Sequence, residues 1–218
     1  MVILGLTGSI GMGKTVAANY FRQLGIPVHD SDQAVHRLLG SGGKGVEPVA
    51  EAFSGVLAKG AIDRKKLGAL VFGDDMALTK LEAILHPLVR QSERRFLAAA
   101  ARRRCPLVVL DVPLLFETGG ESRCDGVVTV SAPIFVQSAR VLRRPGMTRE
   151  RLDAVLERQM PDAEKCRRSD FVIKTGLGRS QSLRAVREIV SITRTWQGGK
   201  WPIRARAPKQ FSTITLGM

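Results

Sequence analysis

The octapeptide GSIGMGKT at residues 8–15 constrains this chain more than any other stretch. It satisfies the pattern G-x-x-x-x-G-K-[ST], with Gly8, Gly13, Lys14 and Thr15 at the defining positions and Ser9, Ile10, Gly11 and Met12 between them. Glycines admit backbone dihedrals closed to other residues, so successive N–H groups can turn inward and ring a polyphosphate at the positive end of a helix. Such a loop needs a strand before it and a helix after it. The apolar run VILGLT at 2–7 and the helical periodicity of 14–24, closed by Gly25 and Pro27, supply both, which sets aside a glycine-rich turn with an incidental lysine. Lys14 is expected to reach the terminal phosphates of a bound nucleotide, and Thr15 to place its hydroxyl on Mg²⁺.

The rest of the chain reads as an α/β fold with a parallel sheet flanked by helices. Strands are expected at 26–28, within the continuous apolar run LVVLDVPLL at 107–115, at 126–130 and at 171–173. Between about 30 and 103 the pattern is mostly helical, with glycine-bearing turns, and it suggests a helical insertion. A basic helical stretch covers about 134–168, and a last amphipathic helix about 180–196. The tail from 198 is rich in glycine, proline and basic residues without acids, and is expected to be extended or disordered.

Charge narrows the partners. The formal net charge is +14, so anions are favoured, but the basic residues are not interleaved with aromatics for base stacking, and no dedicated nucleic-acid partner is expected. The first residues have no basic leader, and no apolar stretch approaches a membrane span. Cys105, Cys124 and Cys166 are scattered, without CxxC spacing. A cytoplasmic protein, monomeric or at most weakly oligomeric, is the expectation.

Three carboxylates bear on the chemistry. Asp111 ends the strongest strand signal and is followed by Val112 rather than the glutamate usual in ATP-driven motors. It could orient the metal through water or simply cap the strand end. A GTPase is excluded, because the sole asparagine, Asn19, precedes Tyr20 and no Asn-Lys-x-Asp base reader exists. In VHDSDQAV, Asp30 and Asp32 lie two apart, so an extended chain would aim both to one side, near the phosphate loop. Either could accept a proton from an attacking hydroxyl, or cap the next helix.

The motifs GLTGSIGMGKT, VHDSD, IDRKKLGALVF, LEAILHPLVR, VVLDVPLLFETG and RQMPDAEKCRRSDFVI, in that order, resemble the dephospho-CoA kinase family over nearly the whole chain up to about residue 197. The resemblance implies ATP-dependent phosphorylation of the ribose 3′-hydroxyl of dephospho-CoA. Carried over by position, Asp32 becomes the catalytic base with Asp30 as an auxiliary, Arg140 a lid arginine that reaches the transferring phosphate, and Arg144 a second lid cation. Arg64, His86, Pro113 and Leu114 fall in segments that the family uses around the acceptor. Read alone, the two arginines would be a solvated basic helix face, HP a helix break and DR a helix start. Ser31 replaces the usual alanine between the aspartates, Pro145 follows Arg144 where many relatives have an acid, and VIKTG stands where asparagine often precedes the glycine. If backbone groups read adenine there, that last change is silent.

The expected organisation is a nucleotide-binding core from 1–28, 104–136 and 170–197, an acceptor domain at 29–103, a lid at 137–169 and a tail at 198–218. The alternatives are another small-molecule or nucleoside monophosphate kinase of this architecture, or a basic nucleic-acid-associated ATPase.

Overall fold

The computed structural model describes residues 1–202. Five strands form one parallel sheet: β1 (Val2–Thr7), β2 (Val28–Asp30), β5 (Leu107–Asp111), β6 (Gly126–Ser131) and β7 (Phe171–Lys174), in the order β2-β5-β1-β6-β7. β1 is central and buried on both faces, which is why it reads as an unbroken apolar run. One face packs Leu4 and Leu6 against Ala18 and Phe21 of α1 (Lys14–Gln23) and Val186 and Ile189 of α9 (Arg179–Thr193). The other face packs Ile3, Val108 and Leu110 against Leu97 and Ala100 of α5 (Asp75–Arg102). Helices thus cover both faces, as the sequence predicts.

A third core belongs to the insertion. Val49 of α3 (Val46–Ala52), Leu67 of α4 (Arg64–Val71) and Leu81 and Leu85 of α5 close around Phe53, Val56 and Ile62, with Leu39 from the end of α2 (Ser31–Leu39). This region is not helical throughout. A small antiparallel hairpin pairs β3 (Leu57–Ala58) with β4 (Ala61–Ile62). Its two-residue turn holds Lys59 at φ 48° and Gly60 at φ 74°, the left-handed pair that a tight hairpin requires.

Three local expectations change. β2 begins at Val28, not Ile26, because Pro27 lacks the N–H for the ladder and only offers its carbonyl to Val109. The 107–115 run ends as a strand at Asp111, and Pro113 sits in the turn that follows. α5 runs through Pro87 over 28 residues, since packing on both sides of the proline holds the helix across the one missing hydrogen bond. Helices α6 (Ile134–Leu142), α7 (Arg149–Glu157) and α8 (Asp162–Arg168) fill the stretch between β6 and β7. No helix among the described residues is long and apolar enough to cross a membrane. Residues 198–202 form neither helix nor strand, and the rest of the tail lies outside the described residues.

Phe21 is fully buried at the join of α1, α9 and the sheet. Phe21→Ala is expected to lower unfolding stability by about 3–5 kcal/mol, read from urea midpoints. A loss below about 1 kcal/mol would mean that α1 does not carry this core.

Candidate active site

The sheet register brings the predicted groups to one edge. Asp111 lies beside Leu6 of β1 on one side and beside Asp30 of β2 on the other, so both carboxylates emerge where β1 runs into the phosphate loop. Two glycines let that loop form. A Cβ on Gly8 would stand 2.3 Å from Val130 Cγ2, and Gly13, at φ 94°, makes the left-handed turn into α1. Lys14 Nζ then donates to Asp111 Oδ1 at 2.5 Å. Asp111 is 2% exposed, and its pKa stands raised from 3.8 to about 6: burial is the largest cause, Lys14 opposes it, and the negative charges of Asp30 and Asp32 add to it. All three carboxylates therefore share one electrostatic neighbourhood.

The two DxD carboxylates do different things. Asp30 caps α2, accepting from the Gln33 N–H at 2.9 Å, and lies 3.7 Å from Arg22. Asp32 is already in the first helical turn, so the extended chain expected through 32 stops at Asp30. From there Asp32 is exposed and lines a cavity of about 290 Å³ with His86, Arg90, Pro113 and Leu114. Arg64 is not in this lining: it opens α4 and contacts the ring of His36.

A second cavity, of about 430 Å³, opens on the other side of the phosphate loop. Gly11, Gly13, Thr15, Arg140 and Arg144 line it, joined by Arg179, which sequence reasoning passed over. Arg140 is fixed by three acceptors: Thr175 O at 2.9 Å, Thr175 Oγ1 at 3.0 Å and Gly11 O at 3.3 Å. The Thr175 hydroxyl in turn donates to Met12 O at 2.5 Å. The threonine side chain in VIKTG thus ties the loop after β7 to both the phosphate loop and Arg140.

Other side chains brace the loop, none of them singled out from the sequence for that role. Gln137 of α6 donates to Ile10 O at 2.8 Å, and Gln159 accepts from Ile10 N–H at 3.0 Å. Lys165 of α8 is fully buried, within 2.9 Å of Glu117 Oε1, and donates to Pro113 O at 3.3 Å; Pro113 O also accepts from Thr7 Oγ1 at 2.9 Å. Glu117 Oε1 accepts from Met160 N–H as well, at 2.8 Å. The stretch 159–165 therefore ties the phosphate loop to the turn after β5.

The model for dephospho-CoA kinase matches residues 2–179. The chain belongs to the dephospho-CoA kinase family. Its relatives of that name include one from Paramagnetospirillum magneticum, 66% identical over 76% of this chain and 78% of the relative, and one from Rhodospirillum rubrum, 53% identical over 94% of this chain and 100% of the relative. A solved protein from Thermus thermophilus superposes with TM-score 0.76 at 36% identity, covering 88% of this chain and 96% of that one. The solved dephospho-CoA kinase from Campylobacter jejuni shares the fold, with TM-score 0.60, 22% identity, and coverage of 88% and 96%.

Two outcomes follow for a dephospho-CoA kinase built this way. The folded Asp111 carboxyl holds its proton between about pH 4 and 6, where the unfolded chain has released it. Its contribution to stability is therefore full at low pH and falls as pH rises through that window, by an amount on the order of 1–3 kcal/mol. Denaturant titrations of the wild type and Asp111→Asn should show the wild-type advantage shrinking from pH 4 to 6; a growing advantage would reverse the sign. Lys165→Met, which leaves the Glu117 carboxylate without its partner, is expected to cost roughly 3 kcal/mol by the same measurement.

Proposed function

We propose that the phosphate loop and Asp32 divide the work of the dephospho-CoA kinase reaction, in which the γ-phosphoryl of ATP passes to the ribose 3′-hydroxyl of dephospho-CoA and ADP leaves. The observation that carries this division is the place of Asp32. It lines the cavity next to Pro113 and Leu114, while its charge is felt at Asp111, which pairs with the phosphate-loop lysine.

ATP is held with its phosphates in the ring of backbone N–H groups from Gly8 to Thr15, at the N-terminus of α1. Its adenosine occupies the cavity flanked by Arg140, Arg144 and Arg179. Lys14 moves from Asp111 to the β- and γ-phosphates, exchanging one anionic partner for another. The acceptor enters on the opposite side, with its 3′-hydroxyl at Asp32. As the new O–P bond forms and the bond to the β-phosphate oxygen breaks, Asp32 takes the hydroxyl proton, and the leaving charge stays on ADP. Asp30 acts through position: by capping α2 it sets the turn that carries Asp32. Arg140 and Arg144 offer planar guanidinium forks to the equatorial oxygens of the transferring group. Pro113, Leu114 and His86 shape the acceptor cavity, and Arg64, on α4, meets the acceptor only at its rim.

Mg²⁺ fits this donor set. Among the described residues no group of three or more His, Cys, Asp and Glu side chains is arranged to hold a metal, so the protein offers Thr15 and, through water, Asp111. That matches an ion that keeps several waters and takes its other ligands from the nucleotide phosphates. When bound, it neutralises charge developing between the β- and γ-phosphates. The segment 137–169 acts as a lid, and its closure keeps water from competing with the alcohol.

A coupled assay with ATP and dephospho-CoA tests the activity; turnover of AMP with inert dephospho-CoA would overturn it. In the same assay Asp32→Asn should retain ATP binding and lose on the order of 10²-fold or more in kcat. Near-normal turnover in that variant removes Asp32 from the role of base.

A further inference from the structure

The cavity at Asp32 is too small for the whole acceptor. At about 290 Å³ it sits at the lower end of the range of small-molecule sites, roughly 300–1,000 Å³. Dephospho-CoA has three parts: an adenosine, a diphosphate and a pantetheine arm. Next to this cavity lies a second one, of about 330 Å³, which shares Arg90, Glu93 and Arg123 with the first.

One helix face runs under both cavities. Glu82, His86, Arg90 and Glu93 of α5 line the first, and Arg90, Glu93, Arg94 and Leu97 line the second. These positions recur three or four apart, so they form a single stripe of the helix. Between the cavities, Arg123 reaches across to Glu93 with two bonds, Nε to Oε1 at 3.1 Å and Nη2 to Oε2 at 3.3 Å. The pair is charge-neutral and makes a saddle. The cations on either side of it are uncommitted: Arg90 and Arg94 are exposed and make no ion pair or side-chain hydrogen bond among the described residues. The far wall is held in place too, because Asp125 Oδ1 accepts from the Gly199 and Lys200 N–H groups at 2.7 and 3.1 Å, which fixes the Lys200 backbone against the second cavity.

We propose that these two cavities are one extended acceptor site: the diphosphate crosses the Glu93–Arg123 saddle, held by Arg90 and Arg94 on either side of it, and the pantetheine arm continues into the second cavity. This rests on the dephospho-CoA reading above. The arrangement matches the ligand's own order, with the ribose at Asp32, two phosphates at the next two turns of α5, and an uncharged amide arm beyond. Leu97 and Ile3 give the second cavity an apolar floor, and Ser122 and the Gly199–Lys200 backbone give it polar walls. Free guanidinium groups bind phosphate oxygens with paired, charge-assisted hydrogen bonds, which makes Arg90 and Arg94 specificity groups for a diphosphate ester over a bare nucleoside.

The test uses the full chain and steady-state kinetics with ATP and dephospho-CoA. Arg90→Glu removes the junction cation, and Ser122→Trp fills the second cavity from an exposed position. Each is expected to raise the KM for dephospho-CoA by about tenfold or more, with the KM for ATP unchanged. 4′-Phosphopantetheine, which has the arm and a phosphate but no adenosine, should inhibit the wild type competitively against dephospho-CoA, and Ser122→Trp should relieve that inhibition. An unchanged KM for dephospho-CoA in either variant overturns the extended site and leaves the activity standing. A matching rise in the KM for ATP also overturns it, because the effect then lies in the fold. Failure of the wild type to use dephospho-CoA at all strikes the activity itself and is seen before any variant is made.

Discussion

Lys14 and Asp111 meet at the edge of the sheet, and that contact depends on the parallel register of three strands. β1 delivers the loop, β5 delivers Asp111, and β2 delivers Asp30 at the same level. Parallel strands leave all their carboxyl ends at one edge, so a fold of this kind gathers residues distant in sequence without any long excursion. The carboxylate is expensive there: burial and two like charges oppose its ionisation, and the lysine offsets part of that cost. A site that strains its own charges in this way is poised to accept a polyphosphate, which takes over the lysine, and a cation, which relieves the carboxylates.

The segment between β6 and β7 looks like a separate basic unit along the sequence, but its polar contacts point inward. Gln159 and Gln137 hold the N–H and the C=O of Ile10, Lys165 and Glu117 hold the turn after β5, and Thr175 links Arg140 to the loop backbone. Donor loop and acceptor wall are therefore joined through the same short stretch of chain. The lid proposed for this segment would therefore act on both through the same contacts.

Most of the fold was legible because its strongest signals are local. Gly8 to Thr15 announce a loop with a mechanism, and the apolar runs at 2–7 and 107–111 read as buried strands because they are short and bounded by turn residues. The hairpin at 57–62 was missed because four strand residues and one Lys-Gly turn are too short to show a period. The helix break at Pro87 was a sound local rule overridden by packing at both ends of a long helix. At the site, Lys14, Asp30, Asp32 and Asp111 were found by motif and by strand end. Gln137, Gln159, Lys165 and Thr175 were not, since a glutamine on an apolar helix and a lysine in a basic run look ordinary until their partners, distant in sequence, are known.

The net charge of +14 takes on meaning in this geometry. Arg140, Arg144 and Arg179 face one cavity and Arg90 and Arg94 another, so part of the positive charge is gathered where two phosphorylated molecules must meet. A field of that sign draws both in and holds their like charges together against repulsion. It must nevertheless spare Asp32, the proposed base. Asp32 makes no ion pair among the described residues: α2 presents it to solvent from a turn fixed by Asp30, and the phosphate-loop lysine is committed to Asp111. Had a cation been placed on Asp32, its proton affinity would fall and the alcohol would lose its acceptor. On the proposed mechanism the buried Lys14–Asp111 pair has a second consequence: before the nucleotide arrives it commits the phosphate-loop lysine to Asp111, and Asp32 is left unpaired.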